Sequence, residues 1–284
     1  MTQTRFRAVL VMAAMLCTPL MPGLFAQRGG DPPGQTLWLE GNKIKLKTTI
    51  YKSSTLSSHP VLIVVLHGDL LGFREVPPST YHYIFADEVA RRLDDVVVAA
   101  VLRPGYRDHS GERSEGELGR AVGDNYTADR VDAIAGVIGQ LKERFHPGHT
   151  LLVGHSGGAA ITGNLLGRHP LAVDGALLVA CDCNVGAWRK HMLESEPNNR
   201  VWSAPATILS PQDLAGAVAT SVHVTVLAGD NDTVVPPSIS REYVETLKKR
   251  VDHVTLTVAP GLGHEMLLEP VTYDALKSLV RDIR

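Results

Sequence analysis

Neither sign of charge dominates this sequence. Lysine and arginine total 28 against 30 aspartates and glutamates, for a formal net charge of −2. That balance points away from nucleic acid or an anionic membrane surface as a partner. No internal repeat and no long low-complexity tract is present. No apolar run reaches the roughly 20 unbroken residues that a membrane-spanning helix needs, so no stable membrane insertion is expected. Cysteine is scarce, with three in 284 residues. A structural metal needs three or four ligands, and no obvious set accompanies Cys181 and Cys183, so no metal site is expected.

What is present begins with an N-terminal segment that reads as separate from the fold. Arg5 and Arg7 make a basic start, an apolar stretch runs from Ala8 to about Phe25 broken by Pro19 and Pro22, and Leu24-Phe25-Ala26 offers a cleavage site. This is the pattern of a secretory signal peptide over residues 1–26. Its removal takes two arginines and no acid, moving the formal charge from −2 to −4. The expected location is secreted or periplasmic. Residues 27–43, Gly/Pro-rich at first, read as a flexible lead-in. In an oxidising compartment a Cys181–Cys183 disulfide is an option. A regular strand would hold the two about 6.6 Å apart along the chain, so a bond requires a turn at Asp182. The alternative, two small residues at a strand end, stays open.

The remaining length suits one large α/β domain over residues 44–284. Ile44 to Tyr51 alternates polar and apolar residues as an edge strand would. Val61–Leu66 and Val96–Leu102 are apolar runs that suit buried strands, and Thr150–Val153, Ala176–Ala180, Val222–Ala228 and Val254–Val258 read as further strands. Helical spacing is found over Tyr81–Leu93, Thr127–Phe145 (with Thr127 as N-cap), Pro237–Arg250 and Pro270–Arg284. Such alternation implies parallel pairing with right-handed crossovers, and ligands then bind beyond the carboxyl ends of the strands.

Gly154-His155-Ser156-Gly157-Gly158 stands between an apolar strand and a small-residue helix. This is G-x-S-x-G at a strand–turn–helix corner, which presents a serine hydroxyl. A serine is a poor nucleophile without a base in reach and a third group to hold that base. Asp232 and His264 follow later strands, so Ser156, Asp232 and His264 fall on one edge of the sheet. His155 is expected to point away from Ser156, His67 to brace its loop, and Asp230 to stabilise its turn.

Together with His67-Gly68, Arg103-Pro104-Gly105, Gly229-Asp230-Asn231-Asp232 and Gly263-His264, the serine motif resembles the α/β-hydrolase superfamily of serine hydrolases. The resemblance covers about Ile44 to Arg284. It implies a mostly parallel sheet of about eight strands with helices on both faces, a Ser156–His264–Asp232 triad, an acyl-enzyme intermediate and no cofactor. Asp182 occupies a position that some relatives use for the acid and is the rival to Asp232. Gly157 N–H is one expected oxyanion donor, and Asp69 or Leu70 the other, with the Asp69 side chain turned outward. Relatives place a lid between the strands at Ala180 and Val222. Here a small cap at about 183–217 is expected, in which Trp188, Met192 and Trp202 either line a substrate pocket or anchor the cap. The loop Arg107–Tyr126 is expected to border the site.

The function expected is an exported serine hydrolase acting on small-molecule carboxylic esters. A peptidase or amidase of the same fold is the alternative, and a non-catalytic binding protein a further one. Oligomeric state is left open.

Overall fold

The computed structural model describes residues 33–69, 81–119, 125–170, 173–204 and 207–284. The expected signal peptide at 1–26 lies outside them. Two strands, β1 (Gln35–Gly41) and β2 (Ile44–Lys52), form an antiparallel hairpin. Asn42 and Lys43 turn it with φ of 47° and 62°, the positive pair that a tight two-residue hairpin requires. The lead-in expected to run to residue 43 therefore contains a strand. It also displaces β2 from the edge: β2 pairs β1 on one side and β4 (Val96–Val101) on the other.

Strand β3 (Val61–Leu66) is followed by helix α1 (Tyr81–Arg92) and then β4. Helix α2 (Ala128–Phe145) leads to β5 (His149–His155), α3 (Gly157–Arg168) and β6 (Gly175–Val179). Thr127 stands at the N-cap of α2, but its side chain makes no capping bond. Two further helices, α4 (Val185–Ser195) and the short α5 (Pro211–Leu214), precede β7 (His223–Gly229), α6 (Pro237–Leu247), β8 (His253–Ala259) and α7 (Pro270–Ile283). The strands make one eight-stranded sheet ordered β1-β2-β4-β3-β5-β6-β7-β8, with β4 to β8 joined by parallel pairs.

Side chains on the central strands alternate between two cores. Leu62, Val64 and Leu66 of β3 pack into one cluster with Ile134, Ile138, Ile161 and Leu165 from α2 and α3. Val61, Ile63 and Val65 pack into the other with Phe85, Val89, Leu276 and Leu279 from α1 and α7. Burial on both faces explains why these strands read as continuous apolar runs. Truncating Leu62 or Leu152, both fully buried, costs about 2–5 kcal/mol through lost transfer energy and the cavity left. No helix among the described residues is long and apolar enough to cross a membrane.

Candidate active site

Strand β5 ends in a sharp corner at Ser156. Ser156 takes φ 53° and ψ −125°, a conformation rare for any residue but glycine, and its N–H is tied to Val179 O at 2.9 Å. The flanking glycines are required by contact. A Cβ on Gly154 would lie 2.3 Å from Gly158 O, and one on Gly158 would lie 2.4 Å from His67 O. The corner therefore wedges α3 against β3 and leaves the Ser156 hydroxyl outside.

Two loops from the far half of the sheet reach that hydroxyl. His264 Nε2 lies 2.9 Å from Ser156 Oγ, and His264 Nδ1 lies 2.9 Å from Asp232 Oδ2. The second carboxylate oxygen of Asp232 accepts the N–H groups of Val234 and Val235 at 2.9 and 2.8 Å. Asp232 can thus hold His264 with Nδ1 protonated and Nε2 free to accept the serine proton. Burial pulls the His264 pKa down, but hydrogen bonding and charge from Asp232, helped by Glu265, carry it above its ordinary value. Asp230 accepts Gly261 N–H at 2.7 Å and so ties the two loops together.

The neighbouring imidazoles act as braces. His67 accepts the N–H of Arg103 on Nε2 at 3.0 Å, and its Nδ1 meets Gly68 O at 2.8 Å. Burial and nearby charges push its pKa well below the usual value, so it stays neutral. His155 faces away from Ser156 toward the other side of the site. Its Nε2 lies 2.9 Å from His264 O and its Nδ1 lies 3.1 Å from Tyr81 Oη, which takes the Gly68 N–H in turn. One direction satisfies every bond: Gly68 N–H to Tyr81, Tyr81 O–H to His155 Nδ1, His155 Nε2–H to the carbonyl of His264. Burial and the His264 charge lower the His155 pKa to about 4, which keeps that tautomer neutral.

Asp69 corrects one expectation. Its carboxylate turns inward rather than outward. Oδ1 meets Arg103 Nη1 at 2.8 Å and Tyr106 Oη at 2.9 Å, and Oδ2 meets Tyr126 Oη at 2.7 Å. A buried guanidinium pairs with the inward-facing carboxylate. Leu70, the other candidate donor, lies outside the described residues. Gly157 opens α3 directly after Ser156.

Asp182 makes no hydrogen bond to His264 among the described residues. It lies 2.8 Å from Tyr126 Oη, and Cys181 and Cys183 on either side of it are joined by a disulfide with Cα atoms 5.0 Å apart. That separation is within the usual range, and β6 has already ended at Val179, so no strand geometry opposes the bond. Trp188, Met192 and Trp202 are 2%, 7% and 6% exposed. Trp188 Nε1 donates to Val234 O at 3.0 Å, Trp202 Nε1 donates to Glu196 at 2.9 Å, and the indoles meet edge to face at 5.3 Å. Of the two roles expected for them, this packing is that of anchors. The loop after β4 is pinned to β2, where Lys47 pairs with Asp108 and Glu112 and its N–H bonds Ser114 Oγ at 3.0 Å. Tyr106 and Tyr126 of this loop reach Asp69.

Sequence reasoning missed Arg103, Tyr106, Tyr126 and Tyr81. Arg103 stood in a quoted motif and Tyr126 ended a singled-out loop, but neither position announces a carboxylate partner. Among the described residues no group of three or more His, Cys, Asp or Glu could hold a metal.

The family model for the prolyl oligopeptidase family matches residues 89–280, which include Ser156, Asp232 and His264. The chain belongs to the prolyl oligopeptidase family. The fold is that of α/β-hydrolases. The structure is similar to Est1E from Butyrivibrio proteoclasticus, solved with ferulic acid bound, at 16% identity and a TM-score of 0.64, covering 87% of this chain and 99% of that one. It is similar to the Pyrococcus furiosus esterase Pf2001 at 12% identity and a TM-score of 0.65, covering 88% and 91%. The Pyrococcus horikoshii acylaminoacyl peptidase resembles it at 12% identity and a TM-score of 0.60, covering 86% of this chain but 39% of that one. A search of curated protein sequences finds no match. Family and fold together make this member a serine hydrolase by class.

Proposed function

We propose that the protein is an exported serine hydrolase that cleaves carboxylic esters through Ser156, His264 and Asp232. The observation that carries this reading is the line of two 2.9 Å contacts joining the Ser156 hydroxyl through His264 to Asp232. As an ester binds, Ser156 Oγ attacks the carbonyl carbon while His264 Nε2 takes its proton. The new imidazolium is stabilised by Asp232, and the tetrahedral oxygen accepts the Gly157 N–H, with the β3 loop as the source of the second donor. Collapse breaks the carbon–oxygen bond, and His264 returns the proton to the departing alcohol. Water, deprotonated by His264, then attacks the acyl-serine, and collapse releases the acid and Ser156.

Likeness to the two esterases spans almost the whole of those chains, which supports the ester reading. Membership of a family named for an oligopeptidase, and the likeness to an acylaminoacyl peptidase, favour amide cleavage as the second reading. The N-terminal segment and the Cys181–Cys183 disulfide support an oxidising, extracytoplasmic location. A series of p-nitrophenyl esters run beside an aminoacyl p-nitroanilide tests the choice. Higher kcat/KM on the esters is expected, and preference for the anilide would overturn it. No turnover of either, with no labelling of Ser156 by a fluorophosphonate, would leave a binding role.

A further inference from the structure

Three buried oxygens next to the site need more hydrogen than a phenol can supply. Tyr126 Oη lies 2.7 Å from Asp69 Oδ2 and 2.8 Å from Asp182 Oδ2. A tyrosine hydroxyl has one proton to donate. Two ionised carboxylates would leave one of these contacts as bare repulsion between oxygens. All three groups are buried: Tyr126 is 0% and Asp182 1% exposed, and the Asp69 side chain 3%. A second proton therefore belongs to the cluster. Arg103 decides where it sits. Asp69 Oδ1 takes a guanidinium contact at 2.8 Å and the Tyr106 hydroxyl at 2.9 Å, so Asp69 is the anion. No cation is in contact with Asp182 among the described residues, and its Oδ1 has no hydrogen-bond partner there.

We propose that Asp182 is a positioning residue that works protonated: its carboxyl O–H donates to Tyr126 Oη, Tyr126 O–H donates to Asp69 Oδ2, and this chain holds the Asp69 carboxylate beside Gly157. The proposal rests on reading Ser156 as the nucleophile and Gly157 N–H as an oxyanion donor. The cluster forms the wall of that donor's site: a Cβ on Gly157 would fall 2.5 Å from Tyr126 Oη and 2.6 Å from Asp69 Oδ1. With Asp182 protonated the wall is neutral overall, because Arg103 balances Asp69. With Asp182 ionised, a second negative charge with one proton between two carboxylates stands where the reaction builds an oxyanion. The groups that face Asp182 are Tyr126 and Asp69, with Arg103 and Tyr106 behind them, and the His264 charge across the site. Burial first, then the charge of Asp69, lifts its pKa to about 7 against the opposing Tyr126 hydrogen bond, its own backbone N–H and the His264 charge. The proton is thus lost in the range where the enzyme would work.

The test compares wild type with Asp182→Asn, whose amide can present a permanent donor to Tyr126, on a p-nitrophenyl ester from about pH 5.5 to 9. Near pH 6 the two should agree in kcat within about threefold. Above about pH 7 the wild type should decline while Asp182→Asn stays level. In the wild type alone, infrared titration should show a protonated-carboxyl band that vanishes with a midpoint near 7 and is absent from Asp182→Asn. Tyr126→Phe, which cuts the chain at its centre, should lower kcat about tenfold with KM within about twofold. An identical alkaline decline in Asp182→Asn, no such band, or a kcat loss in Asp182→Asn matching that of Asp232→Asn at every pH would each overturn the proposal. Failure of a fluorophosphonate to label Ser156 in the wild type would instead overturn the hydrolase reading, and the infrared band would still report on the proton.

Discussion

Asp182 and Asp232 follow neighbouring parallel strands, β6 and β7, and both are buried at 1% and 4% exposure. Their surroundings are opposite. Asp232 accepts two backbone N–H groups and the Nδ1–H of His264, a set of three donors that suits a carboxylate. Asp182 finds one phenol already shared with Asp69, and keeps an oxygen with no partner. Position at a strand end brings a carboxyl group to the site, and the local supply of donors decides its task. In the proposed reaction Asp232 steadies the charge that forms on His264, whereas Asp182 is set to hold a proton.

The largest effects should come from the triad. Ser156→Ala should lower kcat by about 10⁶-fold and Asp232→Asn by about 10⁴-fold, with folding retained by circular dichroism. If the comparison is right, Asp182→Asn changes kcat near pH 6 by a small factor only. Next in size is the ion pair behind the cluster. Arg103→Met should cost about 3–5 kcal/mol in denaturant unfolding, because it strands a buried carboxylate. The double variant with Asp69→Asn should cost less than Arg103→Met alone, and a larger loss would show that packing, not charge, is at stake.

The signs of two pH effects separate the same two carboxyls. His264 has its pKa raised above 6.5, so the acid limb of kcat/KM should sit above that value and move down in Asp232→Asn. Asp182 is protonated in the native state up to about 7, while an unfolded aspartate ionises near 3.9. Raising the pH between those values favours the state with fewer protons, which is the unfolded one. Stability should therefore fall from about pH 4 to pH 7 in the wild type, and the slope from this group should vanish in Asp182→Asn. A smaller effect than at the triad is expected at the brace. Tyr81→Phe leaves Gly68 N–H and His155 Nδ1 each without a partner, and should lower kcat about tenfold.

How far these features were legible follows from where they lie. Ser156, Asp232 and His264 each come directly after an apolar strand, so strand order alone brings them to one edge. The Asp69 cluster has no such marker. Tyr126 is 57 residues from Asp69 in sequence, and no periodicity links a loop's last residue to a carboxylate on another strand end. The inward turn of Asp69 was hidden for the same reason, since only the fold supplies the guanidinium that makes it tolerable. Strand β1 was obscured by the Gly/Pro-rich stretch before it and by its half-exposed pattern, with Trp38 at 44% exposure. Trp188 and Trp202 carried no signal that separates pocket from anchor, and the acceptors of their indole N–H groups supply it.

The most direct test of the central claim is the rate at which a fluorophosphonate labels Ser156 in wild type, Asp232→Asn and Asp182→Asn at pH 7. The account predicts fast labelling in wild type and Asp182→Asn and a loss of several orders of magnitude in Asp232→Asn. Slow labelling of Asp182→Asn with near-normal labelling of Asp232→Asn would contradict it.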